Sequence, residues 1–181
     1  MKQSELYELD KEINTDHVAT PRYVVEDMYE LIKIQTFKQI WLPFNHYDSE
    51  FKLKADELKL KYKATHLFDD LGNDFFVTLP PDGCDLMISN PPFSEQNEIL
   101  DRSFYLADAG YIKSFVLLLP LSTLETEKRA DLLESYADKL SLITIRKRIK
   151  FIGHKTSFNK ACCWICYNIE SLLEDRKLRW I

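Results

Sequence analysis

The stretch "CDLMISNPPFS", residues Cys84–Ser94, runs from a mostly apolar segment into an amide, two prolines and a phenylalanine. A short run with so little polarity reads as a strand buried on both faces, which is the habit of parallel sheets covered by helices. Pro91 and Pro92 end it, because proline cannot donate to a ladder and clashes inside a helix. A strand that stops this abruptly places Asn90 at its carboxyl end.

Working outward, strands and helices alternate. Upstream, "PRYVVEDMYELIKI" has helical spacing, with Thr20 as the expected N-cap and Pro21 at the first helical position. "FKQIWLPF" reads as a short buried strand ending at Pro43, and "SEFKLKADELKLKY" as a helix that Ser49 can cap. "KATHLF" is a strand candidate ending at Asp69 and Asp70, and "DFFVTL" another. Downstream come a helix in "EQNEILDRSFYLAD" closed by Gly110, a central strand in "IKSFVLLLPL" and a helix in "ETEKRADLLESYADK". Two strands, "LSLITIRKRIKFI" and "KACCWICYNI", finish the chain as a hairpin. The pattern predicts an α/β fold: a mostly parallel seven-stranded sheet, helices on both faces and a C-terminal hairpin. In such sheets ligands bind outside the carboxyl ends of the strands.

Composition narrows the function. The 181 residues are 45% hydrophobic and 29% charged, as in an ordinary globular protein, and suffice for one domain over 1–181. No separate target-recognition domain is expected. No apolar run reaches the roughly 20 residues of a membrane span, and the acidic, charge-broken N-terminus does not read as a signal peptide. A cytoplasmic protein without membrane partners is expected. Cys162, Cys163 and Cys166 alternate with large apolar residues and have no second ligand pair, so they read as buried hydrophobes, and no metal site is expected. The net charge of −5 disfavours binding of nucleic acid by bulk electrostatics and leaves only local basic patches, notably "IRKRIK".

At the opening stretch, the Asn90 amide oxygen and the Pro91 carbonyl are two acceptors. Pro92 stiffens the turn and Phe93 adds a flat apolar face. Together they suit a planar group bearing an NH2, held through its two N–H bonds with the nitrogen lone pair left to attack.

"NPPF" resembles the signature of amino-group methyltransferases that use S-adenosyl-L-methionine on a Rossmann-like fold. Within these the chain is similar to the DNA adenine-N6 methyltransferases, and more narrowly to the EcoRI-type adenine methylase family. The similarity extends over most of the chain. It implies Asn90, Pro91, Pro92 and Phe93 as the catalytic corner, with Phe93 stacked on a base flipped out of the duplex. Thr20 and Pro21, in "ATPRYVVEDMYELI", would lie near the carboxylate of the cofactor, and Asp69 at its ribose. Asp74 and Phe75, in "GNDFF", would meet its adenine. Pro43, Phe44 and Asn45 would form the turn over it. A restriction-modification setting, with DNA as the substrate, is what the resemblance implies.

The chain departs from that pattern in "WLPFNHYDSEF", where Asn45, His46 and Tyr47 stand in place of small residues. Two readings stay open. Asn45 takes a left-handed conformation and Asp48 or Ser49 caps the next helix, or the cofactor loop is degenerate and the fold serves as a binding or regulatory scaffold. Target choice would come from loops, a homodimer or a partner specificity subunit. The edge bearing Lys147, Arg148 and Phe158 is the candidate substrate-binding surface. An RNA base or a protein glutamine is the alternative methyl acceptor.

Overall fold

The computed structural model describes residues 19–66, 73–152, 160–173 and 178–180. Its strands are β1 (Ile40–Pro43), β2 (Tyr62–Thr65), β3 (Cys84–Ser89), β4 (Ile112–Pro120), β5 (Leu140–Thr144), β6 (Cys162–Tyr167) and β7 (Leu178–Trp180). The helices are α1 (Arg22–Leu31), α2 (Glu50–Glu57), α3 (Gln96–Asp108), α4 (Glu127–Ser135) and α5 (Glu170–Leu173). The strands form one seven-stranded sheet in the order β2-β1-β3-β4-β6-β5-β7. Neighbours are parallel except for β6, which runs antiparallel to both β4 and β5. The expected pairing of β5 with β6 exists, but β6 is driven into the sheet between β4 and β5, and the pair does not finish the chain, because α5 and β7 follow it and β7 joins the sheet beside β5. The fold is Rossmann-like α/β.

Side-chain alternation along β6 shows why helices cover both faces. Trp164 points to one face, where Phe51 of α2 meets it edge-on at 6.2 Å. Tyr29 of α1 donates to the Phe51 carbonyl at 2.9 Å, tying the two helices together. Tyr167 points to the other face, stacked on Phe115 of β4 at 5.1 Å and touched edge-on by Phe104 of α3. Every residue of β1, β3 and β6 is buried, as continuous apolar strands require.

Three local expectations are corrected. Pro21, not Thr20, occupies the N-cap position of α1, with φ −63° and ψ 147° and no side-chain cap. "DFFVTL" forms a turn and not a strand. Asp74 explains it: its carboxylate accepts from the Phe76 N–H at 2.9 Å, and its carbonyl accepts from Val77 and Thr78. The final basic stretch is also not strand, since β5 stops at Thr144. Ser49, in contrast, caps α2 by accepting from the Lys52 N–H at 3.3 Å, and Gly110 closes α3 with φ +76°.

Candidate functional site

Because β1 and β3 are parallel neighbours, their carboxyl ends lie on one edge of the sheet. β1 runs into Phe44, and β3 runs into Asn90. A cavity of about 160 Å³ opens there. Ala19 and Thr20 line it from the entry to α1, residues 44–46, 48 and 49 from the turn after β1, and Glu50 and Phe51 from α2. His66 closes it after β2, and Asn90 and Pro92 after β3.

The turn after β1 makes its bend at Phe44, which holds φ +62°. The expectation that Asn45 would take the left-handed conformation is corrected. An aromatic residue there is strained, and such strain persists only where surrounding contacts impose it. Asn45 supplies them. It is 4% exposed, and its Nδ2 donates to the Pro43 carbonyl at 2.8 Å and to the Ser89 hydroxyl at 3.1 Å. Its Oδ1 accepts from the Ser49 hydroxyl at 2.8 Å, and its N–H donates to the Thr65 carbonyl. Ser89 in turn donates to the Pro43 carbonyl. The polar side-chain atoms of Asn45 and the carbonyl of Pro43 are thus spent on shaping the turn.

Polar capacity toward a ligand lies elsewhere. Among the described residues, the Thr20 hydroxyl is buried in this cavity without a hydrogen bond, and so is one Glu50 carboxylate oxygen. That oxygen sits 4.0 Å from Arg22. A buried hydroxyl with no partner costs free energy unless something else satisfies it. His46 bonds Asp48 through Nδ1 at 3.1 Å, and its ring meets His66 edge-on at 5.4 Å. The cavity therefore offers a hydroxyl, two carboxylates, two imidazoles and the Phe44 ring.

Of the residues expected from the sequence, the structure brings Thr20, Phe44, Asn45, Asn90 and Pro92 into this cavity. Pro21, Pro43, Pro91, Phe75, Asp74 and Phe93 do not line it. Phe75 is 3% exposed and packs on Phe44 at 4.7 Å and on Trp41 at 5.5 Å. Asp74 is engaged in its own turn. Phe93 is 4% exposed and meets Phe151 edge-on at 6.2 Å, so its ring faces the core. Lys147 and Arg148 line a separate groove. Asp69 and Phe158 lie outside the described residues. His66 belongs to no sequence motif, yet the rule that ligands gather at strand ends points to the residue after β2 as directly as to Asn90.

The cysteines are structural. Burial pushes the Cys162 and Cys163 thiols up to about 12, which keeps them protonated at neutral pH. Among the described residues no three His, Cys, Asp or Glu side chains gather to hold a metal, and no helix is long and apolar enough to cross a membrane.

No protein-family model matches the chain, and neither does any curated protein. Solved structures do. The 23S rRNA methyltransferase ErmE superposes with a TM-score of 0.56 at 12% identity, over 87% of this chain and 72% of that one. A Listeria monocytogenes protein described as a class I S-adenosylmethionine-dependent methyltransferase gives 0.54 at 15% identity, over 92% of this chain and 66% of that one. A Vibrio vulnificus YJ016 protein described as a type I restriction enzyme modification subunit gives 0.55 at 15% identity, over 92% of this chain. This chain spans only 48% of that subunit. At such identities the likeness establishes the fold, that of class I methyltransferases.

Proposed function

We propose that the protein is an S-adenosyl-L-methionine-dependent methyltransferase acting on the N6 amino group of adenine in DNA. The observation that carries this reading is the convergence of Asn90 and Pro92, after β3, with Thr20, Phe44 and Glu50 around one cavity at the carboxyl edge of the sheet.

The donor set fits the polar, amino-acid end of that cofactor. The cavity bounded by described residues is smaller than the ~300 Å³ at which ordinary ligand sites begin, and so suits one end of the molecule. The Thr20 hydroxyl, buried without a hydrogen bond among the described residues, would donate to the cofactor carboxylate. The Glu50 and Asp48 carboxylates would offset its positive charges. S-adenosyl-L-methionine supplies an electrophilic methyl group on a sulfonium.

Everything else falls to the chain. Asn90 Oδ1 and the Pro91 carbonyl would accept the two N–H bonds of the target amine, orienting its lone pair. Pro91 and Pro92 restrict the backbone at that corner, so little entropy is lost when the amine docks. Phe93 can stack on the target base only after its contact with Phe151 opens. No side chain need act as general base, because the amine proton can leave to water after transfer.

Calorimetric titration with the cofactor, followed by transfer of tritiated methyl to DNA, RNA and protein pools, tests the proposal. Cofactor binding, label in DNA as N6-methyladenine, and a silent Asn90→Ala that still binds cofactor are expected. Absence of cofactor binding at millimolar concentration would sink it, and label in RNA or protein alone would remove the DNA assignment.

A further inference from the structure

A groove of about 520 Å³ runs beside the cavity, between the start of α1 and the segment after β5. Tyr23, Val24 and Asp27 form one wall. Ile145 to Arg148, with Lys150, form the other. Arg146, Lys147, Arg148 and Lys150 are all exposed, whereas the intervening Ile149 is buried at 3%. Ile149 and Phe151 therefore anchor the segment and turn its cations outward. Asp27 is the sole acid among the groove's described lining residues. Tyr23 lines the same groove and is 48% exposed.

The groove is mechanically joined to the Asn90 corner. Ala19 and Ile152 exchange backbone hydrogen bonds at 2.9 and 3.4 Å, which ties the end of the basic segment to the entry of α1. Phe151 of the same segment packs on Phe93. A chain lying in the groove would thus pass the site where an amine docks.

Four cations on a protein of net charge −5 form a concentrated local patch that the bulk charge does not predict. Regularly spaced phosphates complement it. Beside the cations stands the exposed Tyr23. Cation rows interleaved with an aromatic face are how proteins hold unpaired strands, because every unpaired base offers a face for stacking, whereas bases inside a duplex do not.

We infer that this groove is a track for a single-stranded polynucleotide, whose phosphates lie along Arg146, Lys147 and Lys150 and one of whose bases stacks on Tyr23. The inference deepens the reading above: the acceptor strand arrives unpaired, so no flipping has to be driven by the protein.

Fluorescence anisotropy with a short labelled oligonucleotide of mixed sequence tests it, in single-stranded DNA, single-stranded RNA and duplex DNA forms. The single strand is expected to bind several-fold tighter than the duplex. Arg146→Glu/Lys147→Glu should weaken single-strand binding about tenfold or more and lower the log–log salt slope by about 1 to 2, near 0.7 per lost phosphate contact. Tyr23→Ala should weaken it about fivefold with an unchanged slope. Both variants should keep the wild-type melting temperature and cofactor titration. Tighter duplex binding, or single-strand affinity within twofold of wild type in the charge-reversed protein, would overturn the inference. Equal binding of polyglutamate, insensitive to Tyr23→Ala, would also overturn it and point to a protein partner. The DNA and RNA arms decide the polymer. Strand binding without methyl transfer in wild type would sink the enzyme reading and leave the groove standing. Transfer undiminished by charge reversal would do the opposite.

Discussion

Asn45 and Ser89 meet through a buried hydrogen bond of 3.1 Å, from the Asn45 amide to the Ser89 hydroxyl. The bond joins the turn after β1 to the last residue of β3, which immediately precedes Asn90. The two halves of the candidate site are thus one hydrogen-bonded unit, and the strained Phe44 lies within it. The Pro43 carbonyl accepts from both side chains.

Removing the clamp should cost stability and loosen the site together. Asn45→Ala leaves the buried Pro43 carbonyl and Ser89 hydroxyl and the half-buried Ser49 hydroxyl each one partner short. About 2–3 kcal/mol is expected, since each unsatisfied group costs ~1–3 kcal/mol and Ser89 keeps part of the network. Urea denaturation measures it, and a loss under ~0.5 kcal/mol would show that the clamp carries no weight.

Thr20 should behave oppositely. Its hydroxyl is buried without a hydrogen bond among the described residues, so the near-isosteric Thr20→Val should leave apo stability unchanged or raise it slightly. Cofactor affinity should fall about tenfold, the worth of one lost hydrogen bond to a charged group. Thermal melting with and without cofactor separates the two effects. A clear fall in apo stability would mean that the hydroxyl has a structural partner.

Arg129 holds the far side of the corner. It is 8% exposed, and its guanidinium donates to the Thr123 carbonyl at 2.6 Å, the Ser122 carbonyl at 3.0 Å and Asn97 Oδ1 at 2.8 Å. It therefore ties α4 to the loop after β4 and to the first turn of α3, just beyond Pro92. Arg129→Met keeps much of the bulk and removes all three bonds. About 3 kcal/mol of destabilisation is expected. Arg129→Lys should rescue only partly, because an ammonium cannot reproduce the planar fork. Full rescue by lysine would mean that charge alone matters.

Part of the acid sensitivity should trace to Asp85. Its carboxyl is held below the usual range, first by the hydrogen bond from Lys113 at 2.5 Å, with the Lys38 N–H also donating to it. A group whose pKa is depressed by folding contributes stability above its unfolded value, near 3.9, and loses it as pH falls through the folded value. Stability should therefore drop with pH below about 4, and Asp85→Asn should flatten that limb while costing stability at neutral pH. Parallel limbs in the two proteins would exclude Asp85 as the source.

Much of the fold was legible because it is written in local patterns. The apolar runs at β1, β3, β4 and β6, the Ser49 cap and the Gly110 stop are each decided within a few residues. "DFFVTL" misled for the same reason. Its β-forming composition does not reveal that the Asp74 side chain closes a turn on its own backbone. Phe93 shows another limit. An aromatic after two prolines is equally suited to a base or to a neighbouring ring, and its packing on Phe151, far along the chain, turns it toward the core in this structure.

The sequence alone determined an alternating α/β chain with an amide and two prolines at the carboxyl end of a buried strand, because strand burial and proline geometry are local properties. Only the tertiary structure decided that β6 inserts antiparallel between β4 and β5. It also decided that Phe44 and not Asn45 carries the left-handed bend, and that His66 and Glu50 share a cavity with Asn90. These depend on contacts between residues dozens of positions apart, whose energies no local pattern encodes.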